Sequence, residues 1–479
     1  MKHKVLLLCL LTFWLQLVRG TVFQVGPSRP LLIPSQAAAL VDDGDTVDID
    51  PVTFSGMDAC AVWTKHNLLV RGAGGMPHMQ ANGAFVQGKG TWVVSGDNMR
   101  VEAIEFSGSV VPDHNGAGIR HEGSGLSVSH CHFHHNENGI LGGHAGMILV
   151  EHCEFGHNGY GDGYSHNIYI NHAQELTVRF SYFHHAHIGH EIKSRAHRNF
   201  ILYNRISNEI TGDASREVDL PNGGFAVVCG NIIHQGPAAT NGNMLGFGNE
   251  GLTNDPPHEL YLVNNTIVDE RGFGGSFISM PSSGVNLLKA VNNIFVSATA
   301  AWINGSPLQL DSLTNIIAAN KGQLFFTDTL LYDYRLSGLS LAAVNQGSFP
   351  GSAGGFLLQP GWEYHHPCLG LVRPQQAAID IGAYEYVSPA AVFGAESGLQ
   401  LLSCQGPGIY RFRIHPPDPL ASFEVYDANG RLTAREGCNE HGTGDFDLSG
   451  FPCGIYLCRL RSVKGQGAVK FLHCPGNIR

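Results

Sequence analysis

From about residue 100 onward, one short pattern of polar and apolar positions keeps returning. A small or polar residue is followed by any residue and then by Phe or Ile. It reads Cys131-His132-Phe133, Cys153-Glu154-Phe155, Ser181-Tyr182-Phe183 and Asn204-Arg205-Ile206. It continues as Asn231-Ile232-Ile233, Asn265-Thr266-Ile267, Asn293-Ile294-Phe295 and Asn315-Ile316-Ile317. Successive apolar members stand 22, 28, 23, 27, 34, 28 and 22 residues apart. A repeat of about 25 residues, with Asn and Gly turns and no helical stretch, predicts a parallel β-helix whose coils stack at about 4.8 Å. In that fold the Asn and Ser members form an inward ladder at a turn, and the Phe and Ile members an internal stack. A leucine-rich horseshoe would need Leu at fixed spacing, and a propeller blade would be longer, about 40–45 residues.

Alternation within the coils assigns faces. In Gly189–Arg195, GHEIKSR, Ile192 reads as inward, which sends Glu191, Lys193 and Arg195 outward. In Arg216–Gly224, REVDLPNGG, Val218 and Leu220 likewise leave Glu217 and Asp219 outside. A coil offset of 24 sets Tyr169 beside Lys193 and Glu217, and Asn171 beside Arg195 and Asp219. An offset of 26 for the second step instead sets Asp219 beside Lys193. Spacing alone leaves both registers open.

The ends differ from the repeat. Lys2 and Lys4, the apolar run Val5 to Val18 and the small Gly20 predict a secretory signal over residues 1–20. The run is short for a membrane span, and no later stretch is long and apolar enough for one. Pro34 to Leu40 predicts a short helix, capped by Ser35, that covers the open end of the solenoid. The solenoid is expected over 21–387, a Ser/Pro/Ala/Gly linker over 388–397 and a second domain over 398–479. In that tail, Phe423 to Leu432 reads as a hairpin around Asn429-Gly430, and Asp447 to Gly450, Gly454 to Leu457 and Lys470 to Leu472 follow it.

Composition agrees with short strands and many turns: 61 Gly and only 14% charged residues in 479. A net charge of −11 argues against a nucleic-acid partner, yet leaves room for an acidic substrate at a local basic patch. Cys438, Cys453, Cys458 and Cys474 crowd the tail, where an exported chain permits disulfides of unspecified pairing. Cys131, Cys153 and Cys229 lie in apolar strand patterns and read as buried thiols.

The coils from Gly118 to Gly251 resemble the right-handed parallel β-helix repeat proteins of secreted bacteria, a superfamily that includes pectate lyases, alginate lyases and chondroitinase B-like enzymes. Ala378-Ile379-Asp380-Ile381-Gly382-Ala383-Tyr384-Glu385 resembles the motif that closes many such domains and places the end of the last coil near 387. Over about 60 residues the tail resembles the C-terminal sorting domain of the type IX secretion system, a small β-sandwich. It departs from that family in its four cysteines and in lacking a Pro-Asn-Pro start. These resemblances imply an exported or cell-surface protein whose partners are a polysaccharide and the secretion machinery, with no oligomer expected.

They also imply a reaction class. Elimination across a uronate removes the C5 proton beside a carboxylate whose charge must be neutralised by Arg or a metal. On this reading Lys193 is the base, Arg195 the carboxylate clamp, Tyr169 the donor to the leaving oxygen, and His190 a further catalytic group. Asn167, Asn171, Glu191, His166 and Asn222 are expected to touch substrate. Glu217, Asp219 and Glu250 are expected to hold a Ca²⁺, which takes several oxygen ligands. A glycoside hydrolase using Asp213, Glu217 and Asp219 is the alternative, and a non-catalytic glycan binder or adhesin is a third. Histidines 130, 132, 134, 135, 166, 184, 185, 187 and 190, with Asp162 nearby, form a second constellation open to a transition metal. His166 and His190, 24 apart, read equally well as a stacked pair. Asn222-Gly223-Gly224 and Gly246 to Gly251 read first as turns, with glycines that leave room for a sugar chain.

Overall fold

The computed structural model describes residues 20–374 and 378–387 and, with short gaps, 399–473. Most of the expected signal, the linker, the Asn429-Gly430 turn, Cys453 and Cys474 lie outside the described residues. The chain divides into two units at Tyr386/Val387.

The first unit is a right-handed parallel β-solenoid. Three parallel sheets of 12, 10 and 11 strands run its length. Each coil gives one short strand to each sheet and pairs with the coils before and after it. The Phe and Ile members of the repeat fill the inward column of the 11-stranded sheet. Phe106, Phe133, Phe155 and Phe183 are fully buried. Their rings stack at 5.0, 4.7 and 4.7 Å, tilted by 7° or less. Such one-per-coil stacks place identical shapes at strand spacing, so the core grows by addition.

The small members form the expected ladder. Backbone N–H groups of Asn204, Asn231, Asn265 and Asn293 each donate to the Oδ1 of the next Asn at 2.9–3.0 Å. Each Nδ2 donates to a carbonyl of the coil before, as Asn231 does to Ile201 at 2.8 Å. Ser181 and Cys153 extend the column with Oγ and Sγ acceptors. The turn bends there because the preceding residue takes a positive φ, as at His130, His152 and Tyr203. Cys131, Cys153 and Cys229 are buried free thiols.

Two expectations change. A five-residue helix, Pro34–Ala38, packs Ala37 into the core, but Pro34 occupies its first turn and Ile33 its N-cap, so Ser35 is not the cap. Nor does Ala378 to Glu385 form a last coil. After the last solenoid strand, Ile316–Ala318, the chain turns back, forms two short antiparallel hairpins and lies along the outer side of the 11-stranded sheet. Ile381 and Ala383 pack there with Tyr182, Ile232 and Val296. Asn264 Nδ2 donates to the carbonyls of Asp380 and Gly382. The motif therefore serves the left-handed Asn column of the turn from outside, which periodicity cannot distinguish from one more coil.

The second unit is a small antiparallel β-sandwich of a three-stranded and a four-stranded sheet. Phe412, Phe423, Val425, Phe446 and Tyr456 share its core. Among the described residues no helix is long and apolar enough to cross a membrane.

Candidate functional site

The 10-stranded sheet carries the predicted charge cluster. Its register pairs Tyr169 with Lys193, Lys193 with Asp219 and Asp219 with Gly246. The step of 26 between Lys193 and Asp219 decides between the two readings of the sequence. The partners one residue earlier, Ile168, Ile192, Val218 and Leu245, are buried in the core. Alternation therefore turns Tyr169, Lys193 and Asp219 outward.

Glu191 and Glu217 break that alternation. Both are fully buried. The ladder pairs His190 with Arg216 and Ile192 with Val218, with no pairing recorded between 191 and 217. At this corner two successive residues face inward. Gly139 shows the same geometry one coil earlier than Asn167, because a Cβ there would lie 2.7 Å from the Phe155 ring. Glu191 accepts from the Ala186 N–H at 3.1 Å and from Asn167 Nδ2. Glu217 accepts from Asn208 Nδ2 at 2.8 Å and Gln235 Nε2 at 3.2 Å. Burial pushes Glu191 up to about 8, against the opposing bonds from Ala186 and Asn167. Burial also raises Glu217 well above the carboxylate range, with Glu191 adding to it. Neither is an outer-face residue. Asn167 is interior too, bonded to the His184 carbonyl at 3.0 Å, and cannot meet a substrate on the outer face.

Outside, a compact set assembles. Lys193 Nζ lies 2.9 Å from Glu250 Oε1 and 3.7 Å from Asp219 Oδ2. Arg195 bonds Tyr169 Oη at 2.8 Å, Asn222 Oδ1 at 2.6 Å, and Glu250. Both cations lie over the Tyr169 ring, at 5.6 and 5.8 Å. Asn222 is held in turn by Thr253 at 2.5 Å. Only 9% of Lys193 is exposed, because Glu250 covers it, whereas the Glu250 side chain is 44% exposed. Burial works upward on Glu250, but the bonds from Arg195 and Lys193 bring its pKa below the usual value.

His166 and His190 stack at 4.8 Å, and the His190 N–H donates to His166 Nδ1 at 2.9 Å. Desolvation lowers His190 to about 4 and His166 well below its ordinary value, so both are neutral at pH 7. Asn171 sits just past the strand end, its N–H donated to the Gly142 carbonyl at 2.6 Å. Asp213 pairs with His187 at 2.9 Å, in a loop.

The calcium set does not come together. Glu217 is interior, while Asp219 and Glu250 already answer the cations Arg216, Lys193 and Arg195. Two ion-paired carboxylates leave too few free oxygens for that ion. The hydrolase reading loses Glu217 for the same reason.

Arg216 is the residue the site assignment missed. It begins its strand in register with His190 and bonds Asp219 Oδ1 at 2.7 Å. Gly246 makes room for that pair, since a Cβ there would meet Asp219 Oδ1 at 2.5 Å and Arg216 Nη1 at 3.0 Å. The signal was a glycine among the apolar residues Met244, Leu245 and Phe247, at the outward position of the strand Asn243–Phe247. Gly223, Gly224, Gly248 and Gly251 take positive φ and are turn residues.

Comparisons with protein-family models, with curated proteins and with solved structures found no match. The parallel β-helix fold is compatible with carbohydrate-active enzymes and with binding proteins, and by itself selects neither.

Proposed function

We propose that the outer face of the 10-stranded sheet binds an acidic polysaccharide and cleaves it by β-elimination. One observation carries the reading: the Glu250 carboxylate bridges Lys193 and Arg195 beside the Tyr169 ring. A uronate carboxylate has the same charge and the same two oxygens, and it would replace Glu250 from the exposed side. Bidentate, charge-assisted recognition suits Arg195. With Arg195 neutralising the carboxylate, Lys193 gives its own proton to solvent and, as the amine, takes the C5 proton. Those electrons form the C4–C5 double bond, the C4–O4 bond breaks, and Tyr169 gives its proton to the departing oxygen. Asn222 and Thr253 position Arg195, and Arg216 and His190 back Asp219. The leader-like first 20 residues and the tail's likeness to a sorting domain support export to the cell surface or beyond.

The test is incubation of the chain with alginate, pectate and glycosaminoglycans. Ultraviolet absorbance from unsaturated uronates is expected with one of them and should vanish in Lys193→Ala. New reducing ends without that absorbance would replace elimination with hydrolysis. Retention of a glycan with no product would make the face a binding surface and overturn the catalytic reading.

A further inference from the structure

Histidine gathers on a different side of the solenoid, along the outer face of the 11-stranded sheet and the turn after it. Strand pairing sets His78, Glu105, His132 and Glu154 in one outward column and Ser107, His134, Gly156 and His184 in the next. The turn adds His135, His157 and His185, all at positive φ. That conformation is met by Asn82 and Gly108 in the coils before, so it does not by itself call for three imidazoles.

Two groups of donor atoms converge. In the first, His134 Nε2 lies 2.8 Å and His78 Nε2 3.8 Å from one oxygen of Glu105. Ser107 Oγ is 2.7 Å from that same His78 nitrogen. In the second, the Nδ1 atoms of His184 and His185 face each other at 2.9 Å. The His157 ring lies 4.7 Å from His185 and 5.3 Å from His184. Within each group, one donor atom from each of three residues lies within 4.8 Å of the others. Two ligands on one zinc ion, each at about 2.0–2.1 Å, span up to about 4 Å, so small side-chain rotations suffice. Gly156 contributes by absence, because any Cβ there would fall on the His184 imidazole.

We propose that this ridge binds late first-row divalent metal ions, of the Zn²⁺, Ni²⁺ and Cu²⁺ class, at His157–His184–His185 and at His78–Glu105–His134. Neutral imidazoles with one carboxylate suit these ions over Ca²⁺ or Mg²⁺. The ridge shares no residue with the Lys193 site, so neither proposal depends on the other.

Equilibrium dialysis of the full chain against Zn²⁺, in excess Ca²⁺ and Mg²⁺, tests it by metal count. About two ions per chain are expected. His185→Ala should remove one, and Glu105→Gln with His134→Ala the other. In the Co²⁺-loaded protein the visible ligand-field absorption should fall in step. Melting in chelator checks that each variant is folded, and His157→Ala, at an exposed position, repeats the first arm if His185→Ala is not. Failure of the wild-type chain to retain Zn²⁺ at micromolar free metal, or full retention by all the variants, overturns the proposal.

Discussion

Glu217 and Asp219 stand two residues apart on one strand, and both are buried, yet they live in opposite chemistries. Glu217, with Glu191 in the neighbouring coil, meets mainly amides: Asn208, Gln235, Asn167 and a backbone N–H. Asp219 meets the cations Arg216 and Lys193, with the neutral ring of His190 beside it. Amides can serve a protonated acid nearly as well as a carboxylate, so the inner pair is driven toward neutrality by desolvation. Cations serve only the charged form. The comparison teaches that which wall of the coil a side chain reaches, rather than its type, decides whether it is scaffold or chemistry.

The strongest way to break the outer half is Lys193→Ala. Loss of a general base should cut the elimination rate by about 10²–10⁴-fold, measured as unsaturated product, while glycan retention survives. Inside, Glu217→Ala strips two buried amides of their acceptor and leaves a void. A loss of about 2–4 kcal/mol is expected in chemical denaturation, whereas Glu217→Gln should cost less than about 1 kcal/mol. Gly246→Ala tests the boundary between the two regions by forcing a methyl against Asp219 and Arg216. It should cost about 1–3 kcal/mol and lower activity together with the melting temperature.

A pH series sharpens the contrast. Glu191 is raised to about 8, so the folded state holds its proton more tightly than the unfolded chain does. Its contribution is full below the ordinary carboxylate value of about 4.3 and is lost as pH rises toward 8. Glu191→Gln should therefore flatten the fall in stability between about pH 5 and 8. His190 works in the other direction. Lowered to about 4, it favours the fold above about 6.5 and withdraws that support as pH falls toward 4. The smallest effect is expected from Glu250→Gln: removing the carboxylate that competes with substrate should lower KM by a few-fold at unchanged stability, read from initial rates.

Much of this was legible in the sequence. The interval between Phe133 and Ile317 announced the solenoid, and the Asn-x-Ile triplets announced the turn ladder, because a one-per-coil stack needs the same shape at each return. The outward charge of Lys193, Arg195 and Asp219 followed from strict alternation. Glu191, Glu217 and Asn167 did not, because alternation fails where the backbone turns a corner and pairing skips a residue. Glu250 reaches Lys193 from 57 positions away, across two coils and a turn, a distance no local pattern encodes. The returning segment was misread as a coil because its closing motif carries the same small and apolar residues as the repeat.

That returning segment changes how the solenoid should come apart. Cys368 bonds the Cys153 carbonyl at 3.2 Å and its own carbonyl meets His152 at 2.8 Å. Farther along, Gly361 donates to Tyr203 and Asn292 to Ser348. Stacked repeats held only by nearest neighbours can peel from either end. Here a strap ties coils from residue 152 to 292 to one another, like a lashing along the side of a coiled rope. The coils before residue 130 lie outside these fastenings, so amide exchange should begin among them, and the lashed half should open as one piece.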